Sequence, residues 1–178
     1  FTKINLIGFS LGSLIALDFA SSFQEKLNKL VLIGTTYLRS EKERFLVLDR
    51  FNQAKLNKPI SKQALKRWFS DDYLKKNPDT YDFFMKVLNK SPKDHRNFLK
   101  AYELFANHNE NKQSIQKIKT DTLIMTGSND SGSTPYMSKE LAKDITNSNY
   151  IEIKGAKHLC SIECADDVNM NIRNFIKK

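Results

Sequence analysis

Residues 4–20 of the chain read INLIGFSLGSLIALDFA, and they place the pentapeptide GFSLG between two apolar runs. The first run, residues 4–7, is typical of a buried strand, and the run after the pentapeptide has helical spacing. A serine on a sharp turn from strand to helix needs small neighbours, so we expect Gly8 and Gly12 to relieve crowding around Ser10. This is the layout of a nucleophile elbow, which makes Ser10 the candidate nucleophile. The pentapeptide alone is also compatible with an ordinary glycine and serine turn.

The two residues that flank this serine are further candidates for the site. Leu11 follows it and would offer its backbone N–H at the first turn of a helix. Donors at that position lack intrahelical partners, and together with the helix dipole they favour a developing oxyanion. Leu11 is therefore the predicted oxyanion-hole donor. Phe9, which precedes the serine, is a predicted substrate contact.

A carboxylate follows a second apolar run further along the chain. Residues 122–126 read TLIMT, which predicts a buried strand, and the chain then continues as GSND to Asp130. Because Asp130 follows the strand, it lies at the C-terminal end of that strand, as a triad acid must. Asp121 is the alternative, but it precedes the strand and would lie at the opposite edge of the sheet.

The third candidate is a histidine in a loop. Residues 136–145 predict a helix and residues 150–153 a short strand, after which the sequence GAKH ends at His158. The other two histidines, His95 and His108, fall in polar helical or loop segments far from any strand end. We therefore predict that His158 is the general base that takes the serine proton, with the acid fixing its tautomer.

The order of serine, acid and histidine on these elements resembles the α/β-hydrolases with a serine nucleophile, and within them most the 3-oxoadipate enol-lactonase group. The resemblance is carried by GFSLG (8–12), RWF (67–69), LIMTGSND (123–130) with STP (133–135), and GAKHL (155–159) with Glu163 beyond. The RWF and Thr-Pro matches are shared by many related esterases and favour the lactonase-like branch only moderately.

The resemblance implies the fold and the chemistry. The expected fold is α/β, with a mostly parallel sheet, helices on both faces and an inserted helical cap. The expected reaction is hydrolysis through an acyl-enzyme, with no cofactor and no metal. In the resembled family the tryptophan of the RWF motif sits on the pocket side of the cap, so Trp68 is a predicted substrate contact.

A long span without strand character separates the predicted strand at residues 29–34 from the strand at 122–126. Apolar residues recur within it at helical spacing (Leu65, Trp68 and Phe69; Phe84, Val87 and Leu88; Phe98, Tyr102 and Phe105). We predict that residues 1–38 and 118–178 form the hydrolase core and that residues 39–117 form the cap. Such a cap would cover the serine and exclude water, although most of its rings would pack its own small core.

The chain begins with Phe1, at the strand just before the predicted nucleophile. In the resembled family several strands precede this point, together with a loop, usually marked by His-Gly, that supplies the second oxyanion donor. We therefore expect the chain to be the C-terminal part of a longer protein, with the N-terminal strands missing. Alone it would be poorly stable, because an edge strand would stay uncovered. It would also be inactive, since losing one oxyanion donor costs about 10²–10³ in rate.

The composition argues against a nucleic-acid-binding protein and against a membrane-spanning protein. The net charge of +9 is spread along the predicted helices among acidic side chains, which predicts a solvated surface and no nucleic-acid partner. This charge would also favour an anionic substrate. No run approaches the roughly 20 apolar residues of a membrane span.

The sequence contains two cysteines, Cys160 and Cys164. They have no nearby metal ligand except His158, so we interpret them as free thiols in a reducing, cytoplasmic compartment.

A serine at the elbow indicates acyl transfer, whereas the relatives that form alkyl esters use an aspartate there. The sequence predicts a serine hydrolase for a small-molecule ester or lactone, and the resemblance makes 3-oxoadipate enol-lactone the best single substrate. The alternatives are carbon–carbon bond hydrolysis of a dienoate and another carboxylesterase or thioesterase activity. A further alternative, of a different class, is a ligand-binding relative without turnover.

Overall fold

A computed structural model of the chain describes residues 2–58, 60–89 and 92–177. Within these residues, four strands form one parallel sheet in the order β1-β2-β3-β4. The strands are β1 (Ile4–Phe9), β2 (Leu27–Ile33), β3 (Asp121–Gly127) and β4 (Ser148–Ile153). The described helices are α1 (Leu11–Phe23), α2 (Glu41–Lys55), α3 (Ser61–Trp68), α4 (Asp71–Lys76), α5 (Pro78–Leu88), α6 (Pro92–Asn107), α7 (Lys112–Ile115), α8 (Pro135–Asp144), α9 (Cys160–Glu163) and α10 (Ala165–Lys177).

The two central strands are buried on both faces, which is why they read as continuous apolar runs. Alternate side chains of β2 point to opposite sides: Leu30 and Leu32 pack with residues of α1 and α8, whereas Val31 and Ile33 pack with residues of α10. The sheet therefore has helices on both faces, and the predicted α/β class with a parallel sheet is confirmed. Among the described helices, none has both the length and the apolar character needed to cross a membrane.

The chain divides into two compact units, the first made of Phe1–Leu38 with Glu110–Lys178 and the second of Arg39–Asn109. The first unit contains the whole described sheet. The predicted insertion ends at residue 117, eight residues beyond the second unit. Helix α7 belongs to the first unit, because Ile115 and Ile118 are buried in the core that α1 and α8 share with the sheet.

The second unit is helical and has a small core of its own. Val47 and Phe51 of α2 pack against Ala106 of α6. Phe69 is fully buried and stacks on Tyr73 at 5.3 Å between ring centroids. Helix α2 begins at a complete capping box, in which the side chains of Ser40 and Glu43 each accept a backbone N–H of the other residue. The second unit thus has its own helix cap, apolar cluster and aromatic stack.

Candidate active site

The turn between β1 and α1 holds Ser10 in a conformation that residues with a Cβ rarely adopt. Its φ is 53° and its ψ is −118°, a strained backbone that costs on the order of 1–3 kcal/mol. Two sets of hydrogen bonds hold it there. The Ser10 N–H donates to the Ile33 carbonyl at 2.9 Å, and the Ser10 carbonyl accepts from both the N–H and the hydroxyl of Ser13, at 2.9 and 2.5 Å. The turn is therefore fastened to β2 on one side and to α1 on the other.

Gly8 makes this sharp turn possible, because helix α1 packs directly on it. A Cβ at Gly8 would overlap the Gly12 carbonyl oxygen and lie 2.7 Å from the Ser13 Cα and 2.8 Å from the Ala16 Cβ. A Cβ at Gly12 would meet nothing within 4 Å. The expectation that both glycines relieve crowding is therefore right for Gly8 and wrong for Gly12, which lies in the first turn of α1 with open space beside it.

The side chains of Ser10, His158 and Asp130 form one hydrogen-bonded chain. His158 Nε2 lies 2.9 Å from Ser10 Oγ, and His158 Nδ1 lies 2.7 Å from Asp130 Oδ2. A carboxylate only accepts hydrogen bonds, so with Asp130 ionised and His158 neutral the ring proton would lie on Nδ1 and the lone pair of Nε2 would face the serine hydroxyl. This geometry suits proton transfer from the serine to the ring.

Asp130 is held in one orientation by its own loop. Its side chain is 1% exposed. The second carboxylate oxygen, Oδ1, accepts the backbone N–H groups of Gly132 at 2.8 Å and Ser133 at 2.9 Å. Aspartate commonly bonds to backbone two and three residues ahead in such turns. The carboxylate thus has three donors when the imidazole is included, which leaves it little freedom to rotate.

The sheet topology brings these three loops together. The carboxyl ends of parallel strands share one edge, and β3 lies beside β4 with Gly127 opposite Ile153. The Gly34 N–H donates to the Met125 carbonyl at 2.9 Å and so ties the end of β2 to β3. A Cβ at Gly127 would overlap the carbonyl oxygens of Ala156 and Lys157, so only glycine lets the histidine loop approach the end of β3 this closely.

The remaining predicted site residues fall into three places. Leu11 is the first residue of α1, where N–H groups have no intrahelical acceptor. The ring of Phe9 lies 5.4 Å from the His158 ring, centroid to centroid. Trp68 lies in the second unit, edge-on to Phe84 at 6.1 Å. The roles of Leu11, Phe9 and Trp68 toward an oxyanion or a substrate stay predictions.

The alternative acid, Asp121, and the two histidines that the sequence analysis set aside belong to other elements than the three site residues. Asp121 begins β3 at the amino end of the sheet, is 59% exposed, and lies 3.7 Å from the Lys29 ammonium. His95 and His108 belong to the second unit, in α6 and directly after it. The structure therefore brings Ser10 together with Asp130 rather than with Asp121.

The two cysteines are free thiols. Burial raises the pKa of Cys160 to about 12, and burial also raises the pKa of Cys164, helped by the nearby charges of Glu163 and Asp167. Both thiols are therefore poor nucleophiles at neutral pH. In the part of the chain that the structure describes, no three His, Cys, Asp or Glu side chains are grouped so that they could hold a metal ion.

Sequence reasoning missed two features around the imidazole. A Cβ at Gly34, which has a φ of +60°, would come within 3.2 Å of His158 Cε1, so the end of β2 forms part of the wall beside the ring. Glu163 accepts the Lys157 N–H at 2.9 Å, just before the histidine. Glu163 is one of the residues that carry the resemblance to the lactonase group, but nothing in the sequence indicated its hydrogen bond with the Lys157 N–H.

The sequence model of the α/β-hydrolase fold family matches residues 1–164. The chain therefore belongs to the α/β-hydrolase family, as the resemblance implied. It is 22% identical over 176 residues to the (E)-2-((N-methylformamido)methylene)succinate hydrolase of Acinetobacter baylyi, a match that covers 98% of this chain and 65% of that protein.

Solved structures of hydrolases have the same fold. The enol-lactonase from Burkholderia xenovorans matches with a TM-score of 0.86 and 22% identity, over 99% of this chain and 66% of that one. A meta-cleavage product hydrolase from Pseudomonas fluorescens matches with a TM-score of 0.79 and 16% identity, over 99% of this chain and 65% of that one. The chain thus spans 65–66% of the length of these relatives.

Proposed function

We propose that this member of the α/β-hydrolase family is a serine hydrolase that cleaves an ester or lactone through an acyl-enzyme. The observation that carries the proposal is the continuous hydrogen-bonded chain from Asp130 through His158 to Ser10, with distances of 2.7 and 2.9 Å. A serine is a weak nucleophile unless a base removes its proton, and this base lies within hydrogen-bond reach and is itself oriented by a carboxylate.

In the proposed mechanism, Ser10 Oγ attacks the substrate carbonyl while His158 Nε2 takes its proton. The Leu11 N–H donates to the oxyanion that develops on the carbonyl oxygen. His158 then gives the proton to the leaving alcohol oxygen, and the acyl-enzyme forms. A water molecule, deprotonated by the same nitrogen, attacks the acyl group. His158 then returns this proton to Ser10 Oγ, which leaves as the free hydroxyl while the carboxylic acid is released. Asp130 stays ionised throughout and stabilises the imidazolium.

The proposed substrate is an anionic lactone, with the enol-lactone of 3-oxoadipate as the best single candidate. The family motifs quoted above support this choice, and so does the likeness to an enol-lactonase. A net charge of +9 favours an anion. The related hydrolase from Acinetobacter baylyi is named for a substituted succinate, which is also an anion.

A second candidate is hydrolysis of a carbon–carbon bond in a dienoate, favoured by the likeness to a meta-cleavage product hydrolase. Other carboxylesterase or thioesterase activities use the same three residues. A binding protein without turnover is the candidate of another class.

The test is a substrate panel on the complete gene product: the enol-lactone, a p-nitrophenyl ester, an acyl thioester and a dienoate. We expect the lactone to have the highest kcat/KM. We also expect Ser10→Ala to lower it by about 10⁴-fold or more. Ser21→Ala is the matched control, because Ser21 lies on the same helix α1 and its hydroxyl donates to the backbone carbonyls of Leu17 and Asp18. Preference for the dienoate would favour the second candidate, and no turnover of any compound would favour a binding protein.

A further inference from the structure

The loop that carries His158 is hydrogen-bonded, ahead of the histidine, to the loop that carries Asp130. The Gly155 N–H donates to Ser128 Oγ at 2.8 Å, and the Asn129 side-chain amide donates to the Gly155 carbonyl at 3.1 Å. The Asn129 N–H donates to the Ala156 carbonyl at 2.9 Å. These bonds fix residues 155 and 156 relative to the acid, but they stop two residues before the histidine.

Glu163, the last residue of α9, holds the chain on both sides of His158. Its carboxylate Oε2 accepts the Lys157 N–H at 2.9 Å, in a partly buried contact. Its backbone N–H donates to the Leu159 carbonyl at 2.9 Å. Glu163 thus contacts backbone groups of both neighbours of the histidine, the Lys157 N–H and the Leu159 carbonyl, and closes residues 157–163 into a ring.

This contact matters because the imidazole must satisfy two partners at once. His158 lies 2.7 Å from Asp130 and 2.9 Å from Ser10, so a displacement of its backbone lengthens one bond or the other. A displacement of about 1 Å in a reacting group can cost about 10²-fold in rate. Removal of the carboxylate takes this acceptor away from the Lys157 N–H in a partly buried place, which loosens the backbone next to His158.

We propose that Glu163 is a positioning residue for His158 and acts through its hydrogen bond with the Lys157 N–H. The inference rests on the proposed function, in which His158 is the general base. The role proposed for Glu163 is to supply an acceptor oxygen at the correct reach, so the proposal predicts that its length matters to kcat and that its negative charge does not.

Three substitutions in the complete gene product separate acceptor geometry from charge. Glu163→Ala removes the acceptor, and we expect kcat to fall about tenfold or more while KM changes by less than about twofold. Glu163→Gln keeps an acceptor oxygen at the same reach, so we expect kcat within about threefold of the parent protein. Glu163→Asp keeps the charge but is one methylene shorter, and we expect it to behave like Glu163→Ala.

The control is Glu152→Ala, which removes a carboxylate from β4 that accepts from Tyr150 and pairs with Lys139. We expect it to leave kcat unchanged. The proposal is overturned if Glu163→Ala keeps the parent kcat, or if Glu163→Gln falls as far as Glu163→Asp. The comparison of Gln with Asp stays decisive even if the alanine variant does not fold.

A second readout needs no turnover. The proton on His158 Nδ1, shared with Asp130, should give a far-downfield resonance in the proton NMR spectrum. We expect this resonance to persist in Glu163→Gln and to broaden or shift in Glu163→Asp. An unchanged resonance in Glu163→Asp would overturn the positioning role. If the parent protein turns nothing over yet shows these NMR changes, the proposed function fails while the positioning of His158 by Glu163 stands.

Discussion

The two ends of the parallel sheet contain similar polar side chains in very different surroundings. At the carboxyl end, Asp130 has a side chain that is 1% exposed and accepts from two backbone N–H groups and an imidazole. At the amino end, Asp121 is 59% exposed and lies 3.7 Å from the Lys29 ammonium. The residue type is the same, so the surroundings alone distinguish a candidate catalytic carboxylate from a surface carboxylate.

The backbone differs between the two ends as well. At the carboxyl end, the chain turns through Ser10 with a φ of 53°. The amino end has regular pairing with one irregularity between Ile4 and Asn5, and Asn5 and Asn28 bond side chain to side chain at 2.8 Å. Strain is thus stored where the chemistry is proposed, and ordinary polar contacts hold the opposite end.

Replacing an aspartate by asparagine at each end of the sheet gives the largest expected difference in kcat. Asp130→Asn in the complete gene product should lower kcat by about 10⁴-fold, because an amide can stabilise the wrong imidazole tautomer and does not stabilise the imidazolium. Asp121→Asn is the matched control. It should leave kcat unchanged and lower the free energy of unfolding by about 0–1 kcal/mol, the usual range for an exposed ion pair.

Steady-state kinetics on one substrate and urea unfolding check both variants. If the two substitutions lower kcat equally, the difference between the ends of the sheet has no catalytic meaning, and Asp130 is not the triad acid.

A smaller effect, on the free energy of unfolding, should distinguish the two glycines of the elbow. Gly8→Ala should lower the free energy of unfolding by about 1–3 kcal/mol, because its Cβ overlaps backbone of α1. Gly12→Ala should raise it by about 0.5 kcal/mol, since the new methyl meets nothing and alanine favours the helix. Thermal or urea unfolding measures both, and two shifts of the same sign would contradict the packing of α1 on β1 described above.

The sequence predicted most of the carboxyl end of the sheet because its signals are local. The elbow pentapeptide, the apolar strand before Asp130 and the strand and glycine before His158 each lie within about ten residues, where periodicity and turn residues are informative. The order of these elements then indicated the family, and with it the parallel sheet.

The features that the sequence did not predict depend on contacts between segments. Gly8 and Gly12 have the same role in the motif, and only the approach of α1 to β1 distinguishes them. The hydrogen bond from the Lys157 N–H to Glu163 depends on the path of the loop around His158. Helix α7 falls in the first unit because Ile115 is buried there, which helical spacing alone does not reveal.

The most direct test of the account is the site and rate of covalent labelling of the complete gene product by a fluorophosphonate, read by mass spectrometry. The account predicts one adduct, on Ser10, whose formation is lost in His158→Ala and retained in His108→Ala, because it is His158 Nε2 that lies 2.9 Å from Ser10 Oγ. Absence of the Ser10 adduct, or its undiminished formation in His158→Ala, would contradict the claim that His158 activates Ser10.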